Sequence, residues 1–192
     1  MKLVFATHNK HKVGEISQLL PSSIKLLTLK DVAIEEDIPE TADTLAANAM
    51  QKAMYVYMKL KTDCFSDDTG LEIDALGGRP GVYSARYAGE KKTASDNIKK
   101  VLTEMQEHKN RSATFKTVIA AIIEGKPFLF EGAVKGFIAG QWTPGQNGFG
   151  YDPIFIPDGH MISFAQMSLE EKNSLSHRGQ AVKKFVDFLK KL

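Results

Sequence analysis

Three groups of polar residues in this 192-residue chain sit where an apolar strand pattern ends or a helical one begins, positions at which backbone donors are free to meet a ligand. In the first, ATHNKHK, the turn after the opening apolar run brings Thr7, Asn9 and the amides of a helix N-terminus to one side, with Lys10 and Lys12 nearby. An anion there gains hydrogen bonds and the favourable end of the helix dipole; the plainer account is capping by Asn9 beside solvated lysines. The second group, FSDDTGLEID, sets Asp67 and Asp68 side by side after an apolar strand. Neighbouring strand residues face opposite ways, so the two predict different jobs. Hard carboxylate oxygens suit Mg²⁺ better than zinc or copper, and Glu40 in the acidic loop IEEDIPE could add a further oxygen; by themselves the aspartates also read as turn formers. The third group spans NGFGYDP, EEKN and SHRG. Gly148 and Gly150 allow close backbone approach, Phe149 and Tyr151 offer aromatic faces, Asp152 is an acceptor, and Lys172, His177 and Arg178 are donors. Taken singly, Phe149 reads as packing and Arg178 as a solvated residue at a helix start.

The elements that must position these groups follow from periodicity. KLVFAT reads as a strand, and Val13, Ile16, Leu19 and Leu20 recur at helical spacing before Pro21. KLLTL at Lys25 to Leu29 is a second strand, and from Thr44 the positions Leu45, Ala49, Ala53, Val56, Tyr57 and Leu60 mark one face of a long helix. CFSDD and LEID predict two short strands joined by a Thr69-Gly70 turn, and a glycine-rich loop, ALGGRPGVYSARYAG, comes next. Ile98, Val101, Leu102 and Met105 give another helix, and SATFKTVIAAII and PFLFEGAVKGFIA flank an EGKP turn as a long hairpin. After the TPGQNGFGYDP loop, SLEE has capping-box form from Ser168 to Glu171, and Val182, Phe185, Val186 and Leu189 share one face of a last helix. The pattern predicts an α/β fold in a single domain over residues 1–192, as one body or two lobes sharing a core.

Composition excludes several classes. Hydrophobic residues at 43% and charged residues at 25% are ordinary for a globular domain. The net charge of +2 comes from interspersed signs, so no basic face predicts binding to a nucleic acid polymer. No apolar run approaches the roughly 20 residues that span a bilayer, and the N-terminal stretch does not read as a signal peptide, so the expectation is a cytoplasmic protein without a membrane partner. Cys64, the one cysteine, lacks neighbours at zinc-ligand spacing and reads as a small buried hydrophobe. Neither a dinucleotide fingerprint nor a P-loop is present.

Taken together, ATHNKHK, PETADTLAANAMQKA, SDDTGLEIDALGGRPGVYSARYAG, GFGYDPIF and EKNSLSHRGQA, in this order over nearly the whole chain, resemble the inosine/xanthosine triphosphate pyrophosphatases. The resemblance implies an elongated mixed sheet with helices, two lobes around a central substrate cleft, a homodimer, Mg²⁺ as cofactor and a purine nucleoside triphosphate as substrate. It implies that the segment Thr7, His8, Asn9, Lys10, His11, Lys12 is the triphosphate-binding turn, that Lys52 is a phosphate-side lysine, and that Thr69 contacts substrate where many relatives carry serine. Glu40 and Asp68 match the metal ligands, and Asp68 also matches the proton acceptor. Phe149, Gly150, Tyr151, Asp152, Lys172, His177 and Arg178 match the nucleoside-binding positions. Ala47 and Gln166 depart from the pattern, standing where relatives commonly carry glutamate.

The implied reaction cleaves between the α- and β-phosphates to give a monophosphate and pyrophosphate. Hypoxanthine and xanthine present an acceptor at position 6 where adenine presents a donor, so a donor from Lys172, His177, Arg178 or a backbone amide disfavours ATP. Stacking on Phe149 serves any purine, and the exclusion of GTP is not legible. Two other functions fit the same residues: a binding module that holds the triphosphate uncleaved, and a pyrophosphatase of other base specificity.

Overall fold

Leu3, Val4 and Phe5 are all buried, the pattern of a strand covered on both faces, and in the computed structural model they form β1 (Lys2–Phe5). The structure describes residues 1–89, 93–145 and 147–192; Gln146 of the TPGQNGFGYDP stretch lies outside the described residues. β1 pairs in parallel with β2 (Lys25–Thr28), Leu3 opposite Leu26, and with β3 (Cys64–Ile73), Phe5 opposite Phe65. Parallel neighbours need a crossover, and α1 (Lys10–Leu19) supplies the one between β1 and β2, ending before Pro21. The crossover to β3 includes α2 (Leu45–Leu60), capped by the Thr44 hydroxyl on the Ala47 amide at 3.1 Å and terminated by Lys61 in the left-handed region.

β3 corrects one expectation. Its ten residues form a single strand, and the predicted Thr69-Gly70 turn does not occur. Turn-forming residues are overruled by pairing: the first part of the strand bonds to β1, and beyond Gly70 the residues Leu71 and Glu72 pair antiparallel with β4 (Pro80–Gly81). The glycine-rich stretch after it carries short 3₁₀ turns, and α3 (Ala94–Glu104) follows. The long hairpin is present as β5 (Ser112–Ile123) and β6 (Lys126–Ile138). Glu124 and Gly125 both take positive φ, 50° and 76°, as a two-residue primed turn requires. β7 (Phe155–Pro157) pairs antiparallel with β6, and α4 (Leu169–Leu175) and α5 (His177–Leu189) end the chain. The Ser168–Glu171 capping box is formed as read. The strand order is β2-β1-β3-β5-β6-β7 with β4 on β3, so the fold is α/β with a mixed sheet.

The chain divides into two compact units. Unit one is Met1–Asp68, Thr117–Gly132 and Arg178–Leu192; unit two is Thr69–Lys116 and Ala133–His177. In unit one, Phe65 stacks on Phe5 at 4.6 Å and meets Phe185 of α5, while Ala49, Ala53 and Val56 of α2 pack with Val4, Ile34 and Cys64. In unit two, Ile98, Val101 and Met105 pack with Leu71, Phe115, Phe155 and Phe164. Cys64 is buried, as predicted. Among the described residues no helix is long and apolar enough to cross a membrane.

The β6–β7 pairing leaves no room for a side chain at Gly136, where a Cβ would lie 2.2 Å from the Ile156 carbonyl oxygen. Gly136→Ala is expected to lower stability by about 1–3 kcal/mol, as overpacking does, read as a lower urea midpoint at unchanged slope; an unshifted midpoint contradicts this register.

Candidate functional site

The pleat of β3 sorts its side chains. Cys64, Ser66 and Asp68 turn toward α2: the thiol donates to the Ala53 carbonyl at 3.2 Å, the Ser66 hydroxyl donates to the Ala49 carbonyl, and Asp68 Oδ1 lies 3.4 Å from Lys52 Nζ. Phe65 and Asp67 face the other way. Asp67 Oδ1 pairs with Lys12 Nζ of α1 at 3.0 Å, and its Oδ2 accepts from Arg178 Nε and Nη2 of α5, each at 3.2 Å. Arg178 Nη1 donates to Glu15, three residues beyond Lys12 on the same helix, and Lys52 also donates to Glu40. Among the described residues these ion pairs form two groups inside unit one, Lys12–Asp67–Arg178–Glu15 and Glu40–Lys52–Asp68.

The two aspartates are driven apart as acids. Burial raises the pKa of Asp67, yet the charges of Lys12, Arg178 and Lys52 outweigh burial and hold its carboxyl well below the usual carboxylate range. Asp68 is pushed up instead, because burial dominates over the pull of Lys52 and Lys12, with Glu40 and Asp67 adding to the rise. Burial also lowers Lys52, but Asp68, Glu40 and Asp67 more than reverse it and keep the ammonium charged. In Lys12 burial wins over Asp67, with Lys52 and Arg178 on the same side, and its pKa falls. Asp67 is therefore a fixed anion, and Asp68 is the better proton acceptor of the two.

Glu40 and Asp68 fit a magnesium ion. Both are hard oxygen donors within reach of the same ammonium, and the Glu40 side chain is 31% exposed. In their ion-pair group two carboxylates share the one Lys52 ammonium, and Mg²⁺ takes one or two carboxylates while keeping waters or phosphate oxygens. Among the described residues no cluster of three or more His, Cys, Asp or Glu is placed to hold a metal.

At the first turn, Asn9 caps α1, its Oδ1 accepting from the His11 and Lys12 amides at 2.9 and 3.2 Å, and its own amide donates to Thr7 Oγ1 at 3.1 Å. The capping account of Asn9 is thus realised, and it aims Lys12 at Asp67. Lys10 and His11 stand exposed on the first turn of α1, and His8 Nε2 lies 3.1 Å from the Glu36 carbonyl oxygen. Thr69, half-buried, continues β3.

Unit two gathers the remaining positions. Asp152 Oδ2 accepts from the Phe149 amide at 2.6 Å and from Lys172 Nζ at 2.7 Å. That ammonium, on a side chain only 2% exposed, lies 5.2 Å from the Phe149 ring centre and 5.8 Å from that of Phe164. Gly148 must be glycine: its φ is +85°, and a Cβ would lie 2.5 Å from Asp152 Oδ2. Gly150 also takes positive φ. Tyr151 is buried among apolar side chains, its hydroxyl donating to the Ser84 carbonyl at 2.8 Å, and burial raises its pKa. His177 is buried with its ring stacked on Phe115 at 4.5 Å. Arg178, grouped by sequence with Lys172 and His177, is placed in unit one and is buried rather than solvated. Of the two departures, Ala47 is exposed on α2, and Gln166 Oε1 accepts from the Ser163 amide at 3.0 Å, the capping role a glutamate would fill. Sequence reasoning missed Glu15, whose one signal is its i+3 spacing from Lys12, and the α2 residues Asn48 and Gln51.

The model of the Ham1 family matches residues 3–188. A dITP/XTP pyrophosphatase of Flavobacterium johnsoniae is 56% identical over 189 residues, covering 98% of each chain, and one of Bacillus subtilis is 43% identical over 97% of this chain and 96% of its own. Among solved structures, the Ham1 protein of Staphylococcus aureus superposes with a TM-score of 0.89 at 35% identity, covering 99% of this chain and 98% of its own, and a HAM1 protein of Coxiella burnetii with 0.91 at 36%, covering both chains completely.

Asp67 neutralises two buried cations. Asp67→Asn is expected to cost about 3–5 kcal/mol in denaturant unfolding at neutral pH, the penalty for stranding buried charge. Because the folded pKa of Asp67 is depressed, its contribution is complete above about pH 4 and is lost as pH falls through the folded value. The two stability curves should therefore converge in acid; parallel curves down to pH 2 contradict the pairing.

Proposed function

The chain belongs to the Ham1 family, and on that premise we propose that it hydrolyses inosine- and xanthosine-type nucleoside triphosphates, deoxy forms included, to the monophosphate and pyrophosphate. The observation that carries this is the placement of two adjacent carboxylates on opposite faces of β3, Asp67 against Lys12 and Arg178, and Asp68 against the Lys52 ammonium that also meets Glu40. Glu40 and Asp68 would hold a magnesium ion, which would supply charge neutralisation at the phosphates and activation of water. Asp68 orients the attacking water and takes its proton; Lys52 and Lys12, with the α1 N-terminal segment Thr7 to Lys12, hold phosphate oxygens. Thr69 contacts the substrate next to Asp68.

The base is assigned to Phe149, Gly150, Tyr151, Asp152, Lys172, His177 and Arg178. Support comes from the Lys172 ammonium, fixed by Asp152 beside the Phe149 ring: a stacked purine would meet a donor, which a 6-keto base satisfies and a 6-amino base does not. The same proposal takes residues 1–192 as one pyrophosphatase domain, a homodimer in a cytoplasmic setting. Light scattering should then give about twice the 21.2 kDa chain mass.

A panel of ITP, XTP, dITP, GTP, ATP and dUTP, assayed for pyrophosphate with and without Mg²⁺, is expected to show turnover confined to the first three and dependent on the metal. Phosphate in place of pyrophosphate, or binding without turnover, overturns the proposal in favour of a different hydrolase or a binding module. Asp68→Asn should lower kcat by at least about 100-fold with little change in substrate affinity, the scale of losing a general base; unchanged turnover removes Asp68 from the chemistry.

A further inference from the structure

The loop that carries Glu40 is laid along one stripe of α2. Asn48, Gln51, Lys52, Tyr55 and Lys59 recur at i, i+3, i+4, i+7 and i+11, so they share a face. As the helix descends from Lys59 to Asn48 the loop ascends from Glu36 to Ala42: Lys59 and Tyr55 donate to the Glu36 carboxylate, Lys52 to Glu40, and Asn48 Oδ1 accepts from the Ala42 amide at 2.9 Å. Gln51 grips Thr41 at two points. Its Oε1 accepts from the Thr41 amide at 3.1 Å, and its Nε2 donates to Thr41 Oγ1, also at 3.1 Å. Another face of the same helix is pinned to β3 through Ala49 and Ala53, so α2 sets the separation between Glu40 on the loop and Asp68 on the strand.

We propose that Gln51 is a positioning residue for the metal site, holding Thr41 and thereby the adjoining Glu40 in register with Asp68; this rests on Glu40 being a metal ligand as proposed above. A cation that takes an oxygen of Glu40 competes with Lys52 for it. The Thr41 and Ala42 contacts are untouched by that exchange, and they keep the loop backbone where the carboxylate is needed. Gln51 is half-buried, so it can be replaced without opening the core.

The test is a Mg²⁺ titration of the full chain, followed both by thermal shift with the metal alone and by pyrophosphate release. Gln51→Met keeps length and loses both hydrogen bonds. It is expected to raise the half-saturating Mg²⁺ concentration about 10-fold, the scale on which residues supporting metal ligands act. A merely structural role would lower the metal-free melting temperature and leave the Mg²⁺ midpoint in place. With positioning the midpoint moves, while kcat at saturating Mg²⁺ stays within about twofold. A wild-type midpoint in Gln51→Met overturns the inference. Glu40→Gln separates the two levels: if it weakens the Mg²⁺ response and Gln51→Met does not, only the positioning role fails; if it too titrates as the wild type does, or if the wild type responds to Mg²⁺ in neither readout, the ligand assignment falls and the inference with it.

Discussion

Asp67 and Asp68 are neighbours on β3, and the pleat sends their carboxylates to opposite faces, one toward Lys12 and Arg178 and the other toward Lys52. A helix at this point would set the two side chains only about 100° apart instead of on opposite faces. The strand makes one deeply ionised and the other easier to protonate. The same alternation seats Phe65 against Phe5 and Phe185, and Cys64 and Ser66 against α2. Core packing and site chemistry therefore share one register, and a slip of one residue would exchange both at once.

Removing so many charged groups from water is costly, and their mutual attraction offsets the cost only where geometry is good. Arg178 meets that condition, with a planar fork that serves Asp67 and Glu15 together. Lysine could not span the two. A surplus of carboxylate over cation then remains on the side of Glu40, whose side chain is the most exposed of the four. That imbalance is what a divalent cation would relieve, and it is why the metal assignment rests on Glu40 and Asp68 rather than on Asp67, whose oxygens are engaged by Lys12 and Arg178.

Periodic features were legible in the sequence because their causes are local: the amphipathic faces of α2 and α5, the β5–β6 hairpin and the Ser168–Glu171 capping box. The three polar groups were legible as well, since each lies next to the end of an element. What failed was nonlocal. The Thr69-Gly70 dipeptide has turn chemistry, and the pairing of β3 with β1, β4 and β5 keeps it extended. Arg178 looks like an ordinary residue at a helix start, and Glu15 like one polar residue among several on α1. Their partners lie far away along the chain, and no spacing rule connects them.

Lys172 illustrates how the third group could act on a base. A charge so deeply covered needs a partner, and the Asp152 carboxylate at 2.7 Å supplies it. Asp152 is itself fixed by the Phe149 amide, and that closure needs a bare Cα at Gly148. The glycine, the aspartate and the lysine are thus one device, in which the backbone turn orients the acceptor and the acceptor orients the donor. An ammonium held this firmly cannot swing to suit an amino group where a keto oxygen is expected. On the proposed chemistry, discrimination between purines would then come from rigidity at Lys172, while affinity would come from the Phe149 face beside it.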